Sequence, residues 1–188
     1  MNDQPRAATD AGVATVAIRP CQEADVAAIT EIYHHHVLHG AASFEIDPPD
    51  AAEIARRRST VLDGGYPYLV AEQDSRVVGY AYASAYRPRP AYRNTVENSV
   101  YVRPGLERQG IGRMLLAALL EACEQRGFRQ VVAVIGDSGN EPSIGLHAHL
   151  GFRMAGTLKS AGFKFGRWID IVLMQRALGP GDDTPPSC

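Results

Sequence analysis

The spacing of apolar residues changes period repeatedly along the chain, and each change marks a new element. Residues 13–19 read as a short first strand. Over residues 25–38 the stripe Ile29, Ile32, Tyr33 and His36 recurs at three- and four-residue steps, which predicts a helix with one buried face. Residues 49–62 predict a second helix, whose Arg56, Arg57 and Arg58 make a solvated basic face. Strands are expected at 66–72 and 77–85, joined by the polar turn Gln73-Asp74-Ser75-Arg76. A further β-forming run at 96–102 stops at the breaker Arg103-Pro104-Gly105. Beyond it Ile111, Leu115, Ala118, Leu119 and Ala122 trace one face of a long helix reaching residue 126. A strand at 130–135, a short helix at 140–150 and two strands at 152–158 and 168–175 complete the chain. The order β-α-α-β-β-β-α-β-α-β-β fits an α/β sandwich around a mixed sheet.

Composition narrows the classes. A chain of 188 residues is long enough for one sizeable core, so one domain is expected over residues 13–178, with loose tails at 1–12 and 179–188. The net charge of −2 gives no general attraction to nucleic acid or to an anionic membrane. No apolar run approaches the roughly 18 residues of a membrane span, and no signal-type apolar segment opens the chain. Cys21, Cys123 and Cys188 have no metal-ligand spacing, and reduced thiols in the cytoplasm are the economical expectation. His34-His35-His36 cannot converge on one ion, because consecutive helical side chains point about 100° apart; no metal is expected.

The chemistry concentrates where the 96–102 strand turns into the long helix. Arg108-Gln109-Gly110-Ile111-Gly112-Arg113 places two glycines and two arginines at a helix start, where unpaired N–H groups and the helix dipole favour an anion. A Rossmann loop would need a third glycine where Leu115 stands, and a P-loop would need Lys-Ser/Thr after Gly112 where the chain has Arg113-Met114. A phosphate cradle of another kind is the reading that survives. Glu97 is a carboxylate inside a strand, costly unless it is paired or used. Two roles fit it: a general base, or a bridge to an arginine such as Arg93. Asn140 reads as the cap of the short helix ahead of Pro142. His147 is either a proton donor or a histidine packed into the core. The loop 86–93 is dense in guanidinium and aromatic groups, and its Arg87 and Arg89 either grip an anionic substrate or are solvated.

Val100-Tyr101-Val102 followed by the Gly110-x-Gly112 turn and helix resembles the coenzyme A-binding core of the Gcn5-related N-acetyltransferases. That pattern usually opens on Gln or Arg, where this chain has Glu107, with Arg108 next to it; Glu107 is expected to point to solvent. The resemblance implies a splayed central parallel pair of strands and a sheet of about seven strands. It also implies acetyl-CoA held by Val100, Tyr101, Val102, Arg108, Gln109, Gly110, Ile111, Gly112, Arg113 and Asn140. A backbone N–H within 100–102 would meet the developing oxyanion, and His147 stands where many members carry a proton-donating tyrosine.

The stretches 95–102, 131–136 and 156–170 further resemble the phosphinothricin and methionine sulfoximine acetyltransferases, over about residues 18–178. In that family the base is the glutamate of the strand, here Glu97, and Arg87, Arg89, Glu97, Asn98 and Ser99 would line the site for a small amino-acid-like substrate. Ser43-Phe44-Glu45 would form a wall on the substrate side, and Phe163-Lys164-Phe165 would cover it. A homodimer is also implied. The alternatives are an acetyltransferase for another small amine or a protein N-terminus, and an acyl-CoA-binding module without turnover.

Overall fold

A computed structural model describes residues 15–186. Seven strands form one sheet in the order β1-β2-β3-β4-β5-β7-β6. In chain order the elements are β1 (Ala17–Pro20), α1 (Val26–His39), α2 (Ala51–Asp63), β2 (Tyr68–Gln73), β3 (Arg76–Ala85), β4 (Thr95–Val102), α3 (Ile111–Gln125), β5 (Gln130–Gly136), α4 (Glu141–His149), β6 (Arg153–Lys164) and β7 (Arg167–Ala177). All neighbouring pairs are antiparallel except β4 and β5, which run parallel.

Helices cover both faces. On one, Ile111, Leu115, Leu116, Leu119, Leu120 and Cys123 of α3 pack against Val96, Val131, Ala133 and Ile135 of the central strands. The buried stripe of α3 is wider than its spacing suggested, because Leu116 and Leu120 also meet the sheet. On the other face Ile29, Ile32, Tyr33 and Val37 of α1 pack with Ile54 and Val61 of α2 over the tyrosines Tyr68, Tyr80 and Tyr101. Burying these side chains fully contributes about 1.5–3 kcal/mol each.

The parallel pair shapes the site. Its register runs only from Thr95↔Gln130 to Asn98↔Ala133, and the ends of both strands then lie apart. Arg103 N–H donates to Val78 on β3 and Gln130 N–H donates to Asn94 from the β5 side. Backbone groups alternate direction along a strand, so those of even-numbered residues of β4 face β5. Past Asn98, the backbone groups of Val100 and Val102 therefore look into the opening.

One strand boundary departs from the expected one. Strand β6 reaches Lys164, well beyond the expected 158, with register shifts against β7 between Met154 and Gly156 and between Leu158 and Gly162, whereas β7 starts at Arg167, next to the expected 168. Those irregularities break the alternation that would have revealed one long strand. Beyond β7, Leu178 is buried, and the Arg129 guanidinium donates to the Gly181 and Thr184 carbonyls. Ahead of α1, residues Glu23–Asp25 form a 3₁₀ turn fixed by Arg19 and by the Gln22 amide, which donates to Asp25. Residues 1–14, with the expected 1–12 tail and the start of the expected first strand, lie outside the described residues, as does Cys188.

Candidate active site

The opening between β4 and β5 is a cleft of about 460 Å³ that passes through the sheet. Strand parity assigns its two mouths. Asn98 and Val100 turn toward the α3 and α4 side, where Asn140, Ser143 and His147 line the cleft. Glu97, Ser99 and Tyr101 turn toward the α1 and α2 side, where Tyr33, Ser43, Phe44, Glu45 and Tyr82 line it. A second hollow, of about 520 Å³, lies at the far end of β5 among Gln130, Arg153, Gln175, Arg176 and Asp182, away from these groups.

Glu97 is half-buried, and burial pushes its carboxyl above the ordinary carboxylate range, a shift that the positive charge of Arg87 partly offsets. No ion pair joins it to Arg93 among the described residues. A carboxylate in this state is closer to the acidity of the group it would serve, which suits proton abstraction better than structural pairing. Beside it on the same face, the Ser99 side chain lies within hydrogen-bonding reach of Tyr82, its cross-strand partner. Burial also raises Tyr82, and the Glu97 charge adds to that shift.

His147 is only 2% exposed. Its Nδ1 lies 2.7 Å from the Ser143 carbonyl, which can only accept, so Nδ1 carries the hydrogen. Its Nε2 lies 2.9 Å from Asn98 Nδ2 and accepts from it. Burial holds the imidazole below its usual range, against the pull of the Ser143 bond. The ring is therefore neutral, with both nitrogens engaged. That is the geometry of a brace for Asn98, and it counts against His147 as the proton donor.

The glycine loop joins the end of β4 to α3. Gly110 is the N-cap of α3 at φ 84°, and a Cβ there would meet nothing within 4 Å. Arg108 adopts φ 60°, unusual for a non-glycine residue, which turns the chain toward the helix start. Arg108, Gln109 and Arg113 are exposed around it, whereas Ile111 anchors the first turn in the core. A Cβ on Gly112 would lie 3.5 Å from Leu146 and 3.6 Å from Val102, ordinary contact distances, so the space beside this position takes one methyl group and little more. Glu107 is exposed as expected, but its carboxylate also accepts from the Gly105 amide at 2.8 Å and so fixes the loop. Asn140 caps α4 through the Ser143 amide while lining the cleft. The residues 108–113 do not line the cleft itself; the open helix start fits a pyrophosphate, and the cleft fits an extended amide-bearing arm. At the end of β4, His36 donates from Nε2 to the Val102 carbonyl at 2.9 Å.

The other expected residues divide. Arg87 is exposed and does not line the cleft; it stacks over the Tyr86 ring and is felt electrostatically by Glu97. Arg89 is also exposed, at the start of a 3₁₀ turn (Pro90–Tyr92), and does not line the cleft. Phe163 and Phe165 are exposed and do not cover the site. Their neighbour Lys164 is buried instead. The three consecutive histidines diverge: His34 meets the Pro49 carbonyl, His35 packs on His39 and His36 meets Val102. Tyr33 and Tyr82 were missed as site residues, since each also occupies an ordinary core position of its element.

The family described as "Acetyltransferase (GNAT) domain" matches residues 18–173. A phosphinothricin N-acetyltransferase from Alcaligenes faecalis is 57% identical over 169 residues, covering 90% of this chain and 86% of that protein. An L-methionine sulfoximine/L-methionine sulfone acetyltransferase from Pseudomonas aeruginosa is 40% identical over 172 residues, covering 91% of this chain and 99% of that protein. A crystal structure of a GNAT superfamily phosphinothricin acetyltransferase from Sinorhizobium meliloti, in complex with AcCoA, superposes with a TM-score of 0.89 at 48% identity, covering 92% of this chain and 94% of that one.

Proposed function

The chain belongs to the GNAT acetyltransferase family and is an acetyl-CoA-dependent N-acetyltransferase; we propose that it acetylates the amino group of a small amino-acid-like substrate of the phosphinothricin or methionine sulfoximine type. The observation that carries this reading is half-buried Glu97 at the point where the parallel ladder ends, with the slot on one side and a walled mouth on the other.

Acetyl-CoA supplies the thioester. The Gly110–Gly112 helix start and flanking Arg108 and Arg113 hold its pyrophosphate, and the backbone of Val100 and Val102 aligns the arm in the slot. The acceptor amine enters from the Glu97 side. An amine is protonated at neutral pH, and Glu97, directly or through one water, takes one proton to free the lone pair; nitrogen then bonds to the acyl carbon, gives its second proton to water, and the carbon–sulfur bond breaks. Charge developing on the acyl oxygen meets a β4 amide already fixed by its strand. His147, neutral and bonded on both nitrogens, keeps Asn98 in place; the sulfur leaves as thiolate and takes its proton from solvent. Arg87 is placed to meet an anionic group of the substrate and to tune Glu97.

The reading extends to assembly and setting. The edge strand β6 is largely exposed and, with the adjoining turn and β7, displays Met154, Leu158, Phe163, Phe165 and Trp168. An edge of this length and apolar character calls for a cover, and a second copy of the chain, forming a homodimer, supplies one. Free, buried Cys21 and Cys123 suit a reducing cytoplasm, and no described helix is long and apolar enough to cross a membrane. In such a setting the reaction would detoxify phosphinothricin and confer resistance to it.

The test is a panel of amino acids, their analogues and short peptides, incubated with acetyl-CoA and followed by release of free thiol. Turnover of phosphinothricin and methionine sulfoximine is expected, with peptides poor. Acetylation of peptide N-termini in preference to every free amino acid would replace this substrate class.

A further inference from the structure

The wall on the amine side is built by the segment 40–45, and the β6–β7 hairpin at the edge of the sheet holds it there. Lys164 is 4% exposed, and its ammonium donates to the Gly40 carbonyl at 3.0 Å and the Ser43 carbonyl at 2.7 Å, 121 to 124 residues away in sequence. The acid whose charge it feels is Glu45, itself engaged by Arg57 and the Tyr33 hydroxyl. A buried ammonium satisfied by main-chain carbonyls is costly to keep and fixes the backbone it bonds.

Two glycines make room for the same segment. A Cβ on Gly136, at the end of β5, would lie 2.0 Å from the Ala41 carbonyl oxygen and 2.9 Å from the Phe44 ring. A Cβ on Gly162 of β6 would lie 2.1 Å from the Phe44 ring. Phe44 thus lies against both β5 and β6, across the intervening β7, and lines the cleft. Ser43 adds a hydroxyl bond of 2.9 Å to Tyr33 and a bond from the Glu45 amide.

We propose that Lys164 is a positioning and specificity-determining residue: it clasps residues 40–45 so that Phe44 and Glu45 stand as a fixed wall and limit the acceptor to a single small amino acid. The wall needs no movement to form. A peptide acceptor would have to run through the space that Phe44 occupies. This proposal rests on the acceptor class given above, and the readouts below separate the two.

The test compares wild type with Lys164→Met, which keeps the length of the side chain but not its charge, and Lys164→Arg, which restores two donors. The first readout is hydrogen exchange at the amides of residues 41–46, which needs no substrate. Exchange should be slow in wild type, fast in Lys164→Met and slow again in Lys164→Arg. The second is kinetic: kcat/KM for methionine sulfoximine should fall roughly 10–100-fold in Lys164→Met through misplacement of the wall. The KM for acetyl-CoA should stay unchanged, and the dipeptide Ala-Met should gain relative to the amino acid. If Lys164→Met does not fold, Gly162→Ala displaces Phe44 without removing the charge and should give the same kinetic pattern. Unchanged exchange at 41–46 in a folded Lys164→Met, or equal losses for amine and acetyl-CoA, would overturn the clasp. If wild type turns over no amino acid while exchange changes as expected, the acceptor class falls and the clasp stands.

Discussion

Asn98 Nδ2 donates to His147 Nε2 across 2.9 Å, tying the last paired residue of the parallel ladder to the helix that walls the cofactor side of the cleft. The bond removes the imidazole lone pair from any other use, and it leaves Asn98 Oδ1 buried without a partner among the described residues. Removing the ring should therefore cost its two neutral hydrogen bonds, to Asn98 and to the Ser143 carbonyl, at about 0.5–1.5 kcal/mol each. His147→Gln is expected to keep kcat within about tenfold of wild type and to preserve the alkaline side of the pH–rate profile. A fall of roughly 10²–10⁴-fold with loss of the alkaline limb would make His147 the acid after all.

Arg87 and Glu97 are coupled through their charges. Burial raises the Glu97 carboxyl and Arg87 offsets part of that rise, so Arg87→Ala should let it climb further. The base works deprotonated, so the acidic limb of kcat/KM for the amine should move to higher pH in Arg87→Ala. The KM for acetyl-CoA should not change. An acidic limb that stays in place would remove Arg87 from the site; Arg89→Ala, remote from the cleft, is the control expected to leave it unmoved.

Gly112 faces Leu146 and Val102 at ordinary contact distance, so alanine fits there and valine does not. Gly112→Val should raise the KM for acetyl-CoA strongly with the amine KM little changed, whereas Gly112→Ala should behave nearly as wild type. Both are measurable by initial rates with one substrate varied. Equal acetyl-CoA affinity in a folded Gly112→Val would take the helix start out of the binding account.

The sequence made legible what depends on neighbouring residues. The β-forming run at 96–102, the breaker at Arg103-Pro104-Gly105 and the two glycines before Leu115 are local signals, and they located the strand end, the loop and the helix start. Glu97 stood out because a carboxylate in such a strand demands a reason. What escaped is made by contacts distant in sequence. Phe44 is ordinary until Gly136 and Gly162 are seen beneath its ring, and Lys164 looked like a cover residue until its ammonium met Gly40 and Ser43. The bonds from Arg129 to Gly181 and Thr184 are of the same kind. His147 was legible as a residue of interest but not in its role, since a tautomer is set by its hydrogen-bond partners and those lie on β4 and one turn back on α4.

Glu97→Gln tests the central claim most directly, read at pH 7 as kcat beside acetyl-CoA affinity and melting temperature. The folded carboxyl is raised above its unfolded value, so the ionised form is disfavoured in the fold; above the folded pKa that penalty is fully present, and a neutral glutamine removes it. The melting temperature should therefore hold or rise while acetyl-CoA binds normally and kcat falls roughly 10²–10⁴-fold. The deficit should shrink as pH rises and more amine is already neutral. A Glu97→Gln protein that melts lower than wild type yet turns over nearly as fast at pH 7 would contradict the account, making Glu97 a structural residue and leaving deprotonation to another group.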